Sequence, residues 1–251
     1  DFERIFEDQL YADFAAFWLV FHTSRVKPKT DQPSSCILEA WRRQAHQTGE
    51  RALDDLRKGV EEALRHLGNG FVREESNTQL REALASGDTT PHEYFQELLR
   101  LVYRFLFLFT VEERELLHGP DTSDEFREIY IQGYSLARLR ERAGKKRNFD
   151  QHHDLWEGLL VTFKGLAKGA GPIGIPALGG MFAEDQCPLL DSNRLPNESL
   201  LMAIRALSFF RTKDTLARIN YRDMGTEELG SVYERLLGIH PQFDAETWTF
   251  G

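Results

Sequence analysis

Four polar residues close together offer the most obvious chemistry in the sequence: His152, His153, Asp154 and Glu157. Imidazole nitrogens and carboxylate oxygens bind metal ions, and residues three or four apart share one face of a helix. Adjacent histidines, however, point in different directions. Asp154 near a helix start is more simply explained as a partner of the helix dipole. The sequence therefore predicts no metal site, and a small hydrolase built on His152 ranks last among the functional hypotheses.

The acidic run Glu112, Glu113 and Glu115 is a second candidate, because paired carboxylates can serve acid–base catalysis. Carboxylates mostly remain in water, so a solvated acidic face is the favoured interpretation. The cysteines, Cys36 and Cys187, are far apart and lack metal-ligand spacing, which predicts free, buried thiols. No serine lies in a nucleophile-elbow motif. The sequence alone thus shows no catalytic site.

Positive charge is concentrated in one short segment, which contains Arg138, Arg140, Arg142, Lys145, Lys146 and Arg147. Such a density of basic side chains can make several contacts with a phosphate backbone. A solvated charged loop is the commoner explanation. The net charge of -9 excludes a protein that coats nucleic acid over its whole surface, but it leaves room for a local patch. DNA contact by these six residues is therefore a hypothesis.

The elements that position these residues are predicted to be helices, because apolar residues recur every three or four positions. The first helix carries Phe6, Leu10, Phe14, Phe17 and Phe21. After a loop with Pro28 and Pro33, Ser34 or Ser35 is expected to cap a long helix that Gly68 and Gly70 stop. Thr90 and Pro91 start a helix that is apolar on nearly all sides through Phe109, which makes it the candidate central helix.

Toward the C-terminus the pattern continues with one more helical stripe on Leu155, Leu159, Phe163 and Leu166. A Gly/Pro-rich stretch from Gly169 to Pro196 predicts a loop that packs against the body. Asn197 is expected to cap a helix through Phe210. A short extended run at Ile219–Tyr221 then precedes a last helix at Thr226–Leu237.

Together these elements predict a mainly α fold, an irregular multi-helix bundle with a Gly/Pro-rich loop and minor short strands near the C-terminus. The expected division is an N-terminal helical segment at residues 1–70 and a helical connector at 71–251, with one continuous domain as the alternative. The apolar run Phe105–Phe109 is too short to cross a bilayer, so no membrane span is predicted. Because the sequence starts at Asp1 without a methionine or signal, we expect an excerpt of a cytoplasmic protein.

Three segments carry a resemblance to a known family. The first is Leu98–Phe109 followed by Glu112–Leu117, and the last is Tyr221–Met224 followed by Glu228–Leu237. Both resemble the region upstream of the methyltransferase domain in type IIG restriction-modification enzymes and related phage-defence adenine methyltransferases. Between them, Ile175–Phe182 is similar to the family's Gly-Gly-Leu-Phe loop, with Met181 in place of leucine, a volume-conserving change. The resemblance covers Phe2 to Phe250.

The resemblance implies a fragment of a site-specific DNA adenine-N6 methyltransferase of a restriction-modification or phage-defence system. In such a parent protein, S-adenosylmethionine is bound elsewhere and methylates the exocyclic nitrogen of a flipped adenine. The family's cofactor loop and Asn-Pro-Pro-Tyr motif are absent from this sequence, so no catalytic, cofactor-binding or metal-binding residue is carried over. The region is then a non-catalytic helical scaffold and DNA-proximal connector, and double-stranded DNA is a partner through the parent enzyme.

The missing methyltransferase domain is the other expected partner. The residues expected to dock it are small or apolar: Gly179, Gly180, Met181, Phe182, Leu229, Tyr233 and Leu236. The alternative is an independent helical module that binds a partner protein through its aromatic faces, since 18 phenylalanines suit either a thick core or a docking surface. The translated sequence beyond Gly251 would separate the two hypotheses.

Overall fold

The computed structural model describes residues 11–30, 32–145, 149–211, 216–225, 227, 230–231, 234, 236 and 241–251. Helices dominate, and the prediction of a mainly α fold with short strands near the C-terminus is confirmed. Internal contacts divide the chain into two compact units, Asp1–Asp54 and Asp55–Gly251. The division at residue 70 that the sequence suggested stays a prediction.

The first unit contains the loop that leads into the longest helix. Its elements are α1 (Tyr11–Phe21), α2 (Thr23–Val26), a 3-10 turn (Pro33–Ser35) and the start of α3 (Ile37–Arg73). The hydroxyl of Ser35 accepts hydrogen bonds from the backbone N–H groups of Lys29 and Thr30, each at 3.0 Å, so it closes the loop and does not cap α3. The Sγ of Cys36 takes that place, 3.4 Å from the amide nitrogen of Glu39.

The second unit contains the rest of α3 and all later elements. These are α4 (Thr78–Ser86), α5 (Pro91–Glu113), α6 (Asp124–Gly133), α7 (Leu136–Ala143), α8 (Asp154–Lys168), 3-10 turns at Gly171–Ile173 and Gly180–Phe182, α9 (Pro188–Asp191), α10 (Asn197–Ser208), β1 (Phe209–Arg211), β2 (Leu216–Arg218), β3 (Phe243–Asp244) and β4 (Thr249–Phe250). β1 pairs antiparallel with β2, and β3 pairs antiparallel with β4.

The central helix α5 begins where its sequence signals predict. Thr90 accepts a hydrogen bond from the backbone N–H of Glu93, whose carboxylate accepts the Thr90 N–H at 2.8 Å, and Pro91 occupies the first turn. This capping box satisfies backbone donors that a helix start leaves unpaired. Both sides of the helix are buried, as the pattern through Phe109 indicated. The prediction of an enclosed central helix is confirmed.

The prediction that Gly68 and Gly70 stop a helix is wrong, because α3 continues through both to Arg73. A Cβ atom on Gly70 would lie 2.5 Å from the Cβ of Ser199, and one on Gly59 would lie 2.3 Å from the carbonyl oxygen of Ala206. Real Cβ atoms do not approach so closely. The glycines of α3 therefore allow α10 to pack directly against its backbone.

The core of the second unit is aromatic where α8 meets its neighbours. Trp156 is fully buried, with its ring 5.3 Å from that of Phe71 in an edge-to-face arrangement and 6.3 Å from that of Phe163. The Gly/Pro-rich loop packs against this core, as predicted: Leu178 donates a backbone hydrogen bond to the Leu166 carbonyl at 2.7 Å. The loop also contains α9, which the sequence did not indicate.

The remaining predictions near the chain ends have mixed outcomes. Asn197 begins α10 but does not cap it: its side chain donates to Asp150 and Asp154 and accepts from the Leu155 amide. The extended run predicted at 219–221 directly follows β2. Most of the predicted helix at 226–237, with Phe6 and Leu10 of the first helix, lies outside the described residues. Across the parts of the chain that the structure describes, no helix is both long and apolar enough to span a membrane.

Candidate functional site

The histidine cluster does not converge on a common point. His153 places Nε2 2.9 Å from the carboxylate of Glu74, whereas His152 is exposed. Asp154 accepts a hydrogen bond from Asn197 at 2.8 Å, and Glu157 is exposed on the first turn of α8. Within the described ranges, no group of three or more His, Cys, Asp or Glu side chains is arranged to hold a metal ion.

Glu112 holds the start of α7, contrary to the predicted solvated face. Its carboxylate accepts hydrogen bonds from the backbone N–H groups of Leu136 and Ala137, both at 2.8 Å, and from the Tyr130 hydroxyl at 2.6 Å. A carboxylate in this place satisfies the unpaired donors of the first helical turn and complements the helix dipole. Burial nevertheless raises the pKa of Glu112 above its usual range.

Glu113 is the centre of a polar cluster that joins the end of α5 to the segment after β2. One carboxylate oxygen accepts from Arg140 and, at 2.9 Å, from Arg218; the other accepts the backbone N–H groups of Tyr221 and Arg222 at 2.8 and 3.1 Å. We call these five residues the Glu113 junction. Burial alone would raise the pKa of Glu113, but the bonds from Arg140 and Arg218 outweigh it, so the pKa lies below its usual value.

The guanidinium of Arg140 is the buried cation of this junction, with 3% of the residue exposed. It lies 4.1 Å from the ring centre of Phe109 and 5.4 Å from that of Tyr221, and those two rings stack 4.9 Å apart. Its Nε donates to the Ser208 hydroxyl at 3.3 Å. Burial lowers the pKa of Arg140, and Glu113 opposes that change. Arg140 therefore serves the interior of the protein.

Next in sequence, Arg114 binds the same C-terminal segment. Its Nε donates to the Arg222 carbonyl at 2.9 Å and its Nη2 to the Met224 carbonyl at 2.8 Å. The last residue of α5, Glu113, and the residue that follows it, Arg114, thus hold one short stretch of chain more than a hundred positions away. The first and last segments that carry the family resemblance are in direct contact.

A second polar cluster, the Arg104 clamp, ties the Gly-Gly-Met-Phe loop to α5. Arg104 is fully buried and donates to both carboxylate oxygens of Asp191, at 2.9 and 3.1 Å, and to the Met181 carbonyl at 2.9 Å. Its guanidinium lies 4.9 Å from the ring centre of Phe163 and 5.9 Å from that of Phe182. The loop that carries the middle part of the resemblance is therefore fixed to the same helix.

Some of the predicted docking residues are buried, whereas others are exposed at the surface. Phe182 is buried, with its ring 5.6 Å from that of Phe107, and Leu236 is buried as well. Met181 is 39% exposed, Gly180 is exposed, and Gly179 is half-buried. Both glycines have positive φ angles, 55° and 61°, which favour glycine. Leu229 and Tyr233 lie outside the described residues.

The structure places the residues of the basic segment in different environments. Arg140 is buried in the Glu113 junction, so its assignment as a DNA-contact residue is corrected. Arg138 donates to the Gly133 carbonyl at 3.0 Å, Arg142 is half-buried, and Lys145 is exposed. Lys146 and Arg147 lie outside the described residues. Arg138, Arg142 and Lys145 remain the described basic side chains of this segment that DNA contact would use.

Neither polar cluster was predicted from the sequence. Arg104 resembled an interruption of an apolar helix, and Arg140 resembled one more surface charge in a basic run. The available signal was Arg104 inside a helix predicted to be enclosed on nearly all sides, since a buried guanidinium needs a carboxylate. An open cleft of about 550 Å³ lies beside the junction and is lined by charged residues of both segments, among them Glu115, Arg218 and Arg222. Next to it, Glu113 already binds Arg218 and Arg140, and Glu112 accepts hydrogen bonds from Tyr130 and the start of α7, which suits a structural joint better than a reaction centre.

Free thiols complete the set of sequence-predicted reactive groups. Cys36 and Cys187 are both buried and unpaired, which confirms the prediction of buried thiols. Burial raises the pKa of the Cys187 thiol to about 12, so it is protonated at neutral pH.

Comparison with known proteins gives no match to any family model, curated protein or solved structure.

Proposed function

We propose that this chain is the helical scaffold of a site-specific DNA adenine-N6 methyltransferase, and that it fixes the place of a methyltransferase domain which binds S-adenosylmethionine. The single observation that supports this is the contact among the three segments of the family resemblance. Glu113 and Arg114 bind the segment at Tyr221–Met224, and Arg104 binds the loop at Met181. Three segments that contact one another in the fold have a physical reason to occur together in one sequence pattern.

The geometry suits a platform. A reacting domain gains from being held in one orientation, because small displacements of the reacting groups cost large factors in rate. The Glu113 junction and the Arg104 clamp each connect α5 to distant chain through several charge-assisted hydrogen bonds, which are directional and stronger than neutral ones. In this proposal, exposed Met181 and Leu178 of the clamped loop form the apolar surface on which the methyltransferase domain docks.

The test uses the complete gene product, S-adenosylmethionine with a labelled methyl group, and duplex DNA. We expect label in N6-methyladenine after enzymatic digestion of the DNA to nucleosides. The 251-residue chain alone is expected to transfer none. Failure of the complete product to methylate any adenine, across a DNA library that contains many sequences, contradicts the proposal. Methyl transfer by the 251-residue chain contradicts the scaffold role.

The docking surface is tested by a matched pair of charge insertions in the complete product. Met181→Asp is expected to lower methyl transfer at least tenfold, because a carboxylate would be buried in an apolar contact. Ile131→Asp is the control, since Ile131 is an exposed apolar side chain of a different element, α6, with 52% of the residue exposed. Equal activity of the two variants removes Met181 from the docking surface.

A helical protein-interaction module is the second candidate, and α1 is the observation that favours it. Of its eleven residues, all but Asp13 are apolar or aromatic, and none is buried. Tyr11 is 77% exposed, Phe21 is 56% and Trp18 is 49%. Such a surface is typical of a protein–protein contact. Sedimentation velocity on the purified chain tests the case in which the partner is a second copy: α1-dependent association should disappear in Trp18→Ser/Phe21→Ser, and a monomeric wild-type chain would exclude self-association through α1.

A further inference from the structure

Strand β4 lies against α3 and α5, and one side chain pairs with its backbone. The Asn69 side-chain amide donates to the Phe250 carbonyl at 2.8 Å, and its oxygen accepts the Phe250 N–H at 3.1 Å. The same amide nitrogen donates to the Arg65 carbonyl at 2.8 Å, which fixes the plane of the amide. Because Asn69 binds main-chain atoms of Phe250, this part of the contact suits any extended residue.

The ring of Phe250 supplies the specificity that the backbone contact lacks. Only 4% of Phe250 is exposed, and its ring lies 5.1 Å from that of Tyr94, edge to face, and 6.3 Å from that of Phe95. A Cβ on Gly68 would lie 2.6 Å from Cδ1 of Phe250, so glycine leaves room for the ring. The Tyr94 hydroxyl donates to the Gly68 carbonyl at 2.8 Å and holds the two helices together beside it.

The hairpin presents Phe250 in the orientation that this cleft needs. Gln242 and Gly251 exchange two backbone hydrogen bonds, at 2.8 and 3.1 Å, so the N–H and C=O of Phe250 point away from β3 and toward Asn69. Trp248 makes a second side-chain contact for the hairpin, because the guanidinium of Arg81 lies 4.0 Å from its ring centre. The contact therefore has a backbone-pairing group, an aromatic pocket and a cation that stacks on a second ring.

We propose that the cleft formed by Gly68, Asn69, Tyr94 and Phe95 is a recognition site for an extended peptide strand that bears a phenylalanine, and that β4 occupies it in cis. Main-chain pairing for affinity and one side-chain pocket for selectivity is how proteins bind added strands. A tethered strand has an effective concentration near the millimolar range, so a free strand competes with it weakly unless the cis ring is removed.

Hydrogen exchange on the full chain tests the cis contact. Asn69→Ala is expected to speed exchange of the Phe250 amide about tenfold, as the loss of one or two hydrogen bonds predicts. Gly68→Ala should do the same by displacing the ring, with exchange in the middle of α5 unchanged. Gly158→Ala is the matched control, because a Cβ there meets no atom within 4 Å. Unchanged exchange at Phe250 in both cleft variants would overturn the proposal.

Binding in trans tests recognition itself. In the full chain with Phe250→Ala, a fluorescein-labelled peptide of residues 241–251 is expected to bind saturably. The wild-type chain should bind the peptide at least tenfold more weakly, and a peptide with alanine in place of Phe250 should bind the variant at least tenfold more weakly. Absence of saturable binding to the variant, or equal binding of the two peptides, contradicts a phenylalanine-selective site.

Discussion

Replacing Arg104 with methionine is the sharpest test of how the Gly-Gly-Met-Phe loop is held. Methionine keeps most of the unbranched apolar stem but removes the guanidinium, which binds both oxygens of Asp191 and the carbonyl of Met181. The variant leaves a carboxylate and a carbonyl without their partner. It also removes the cation that lies beside the rings of Phe163 and Phe182.

Removing one partner of a buried ion pair costs about 3–5 kcal/mol, because the other charge stays buried and unpaired. The Asp191 side chain is 23% exposed, so water can solvate part of it, and we expect a loss near the lower bound, about 3 kcal/mol. In the double variant Arg104→Met/Asp191→Leu neither charge remains. Its loss should fall short of the sum of the two single losses by about 1–3 kcal/mol.

Urea unfolding followed by circular dichroism at the helix band measures these free energies. Arg100→Met is the matched control: Arg100 lies one turn earlier on α5, is exposed, and donates to a single carbonyl, that of Gln186, at 3.0 Å. We expect a change below about 1 kcal/mol there. If Arg104→Met costs no more than Arg100→Met, the clamp does not hold the loop, and the argument from buried charge is refuted.

Three further experiments test other parts of the structure. The pKa of Glu113 is lowered in the folded protein, so the stability that its carboxylate contributes is present above the ordinary pKa of 4.5 and is lost as the pH falls below it. Between about pH 5 and pH 3, wild type should therefore lose more unfolding free energy than Glu113→Gln. Equal losses would contradict this. Gly59→Ala should destabilise by about 1–3 kcal/mol, while Gly158→Ala should stabilise by about 0.5–1 kcal/mol, both measured by urea unfolding. The Cys187 thiol should resist alkylation by iodoacetamide in the native protein and react after unfolding in urea; rapid native labelling, located by mass spectrometry, would be inconsistent with its burial.

Local signals in the sequence predicted the helices well where they were self-contained. Thr90, Pro91 and Glu93 lie within four positions, and a capping box acts through neighbouring atoms alone. The 3.6-residue period of α5 likewise needs no knowledge of what covers it. The role of each glycine was harder to predict, because glycine stops some helices and permits close packing in others. At Gly70 the partner is Ser199, far away in sequence, so only the folded chain distinguishes the two roles.

The candidate site was harder to predict from the sequence for the same reason. Glu112 and Glu113 are neighbours in sequence, yet one caps α7 and the other binds the segment at Tyr221, and both partners are non-local. Arg140 sits in a run of basic residues that resembles a solvated segment, and its burial depends on Phe109 and Tyr221 stacking beside it. Composition and spacing describe charge density, whereas the position of each charge relative to the core is a tertiary property.

The sequence separations of the two polar clusters also bear on how the chain is made. The carboxylate that binds Arg104 lies 87 positions later, and Glu113 binds Arg140 27 positions later and the backbone of Tyr221 108 positions later, while α5 itself has every local signal to form at once. During synthesis, a nascent chain that ends before residue 191 therefore carries α5 with the Arg104 guanidinium lacking its carboxylate partner and with an uncovered apolar surface. Such intermediates are prone to aggregate. Slow translation of the stretch before residue 191 would lengthen that exposure.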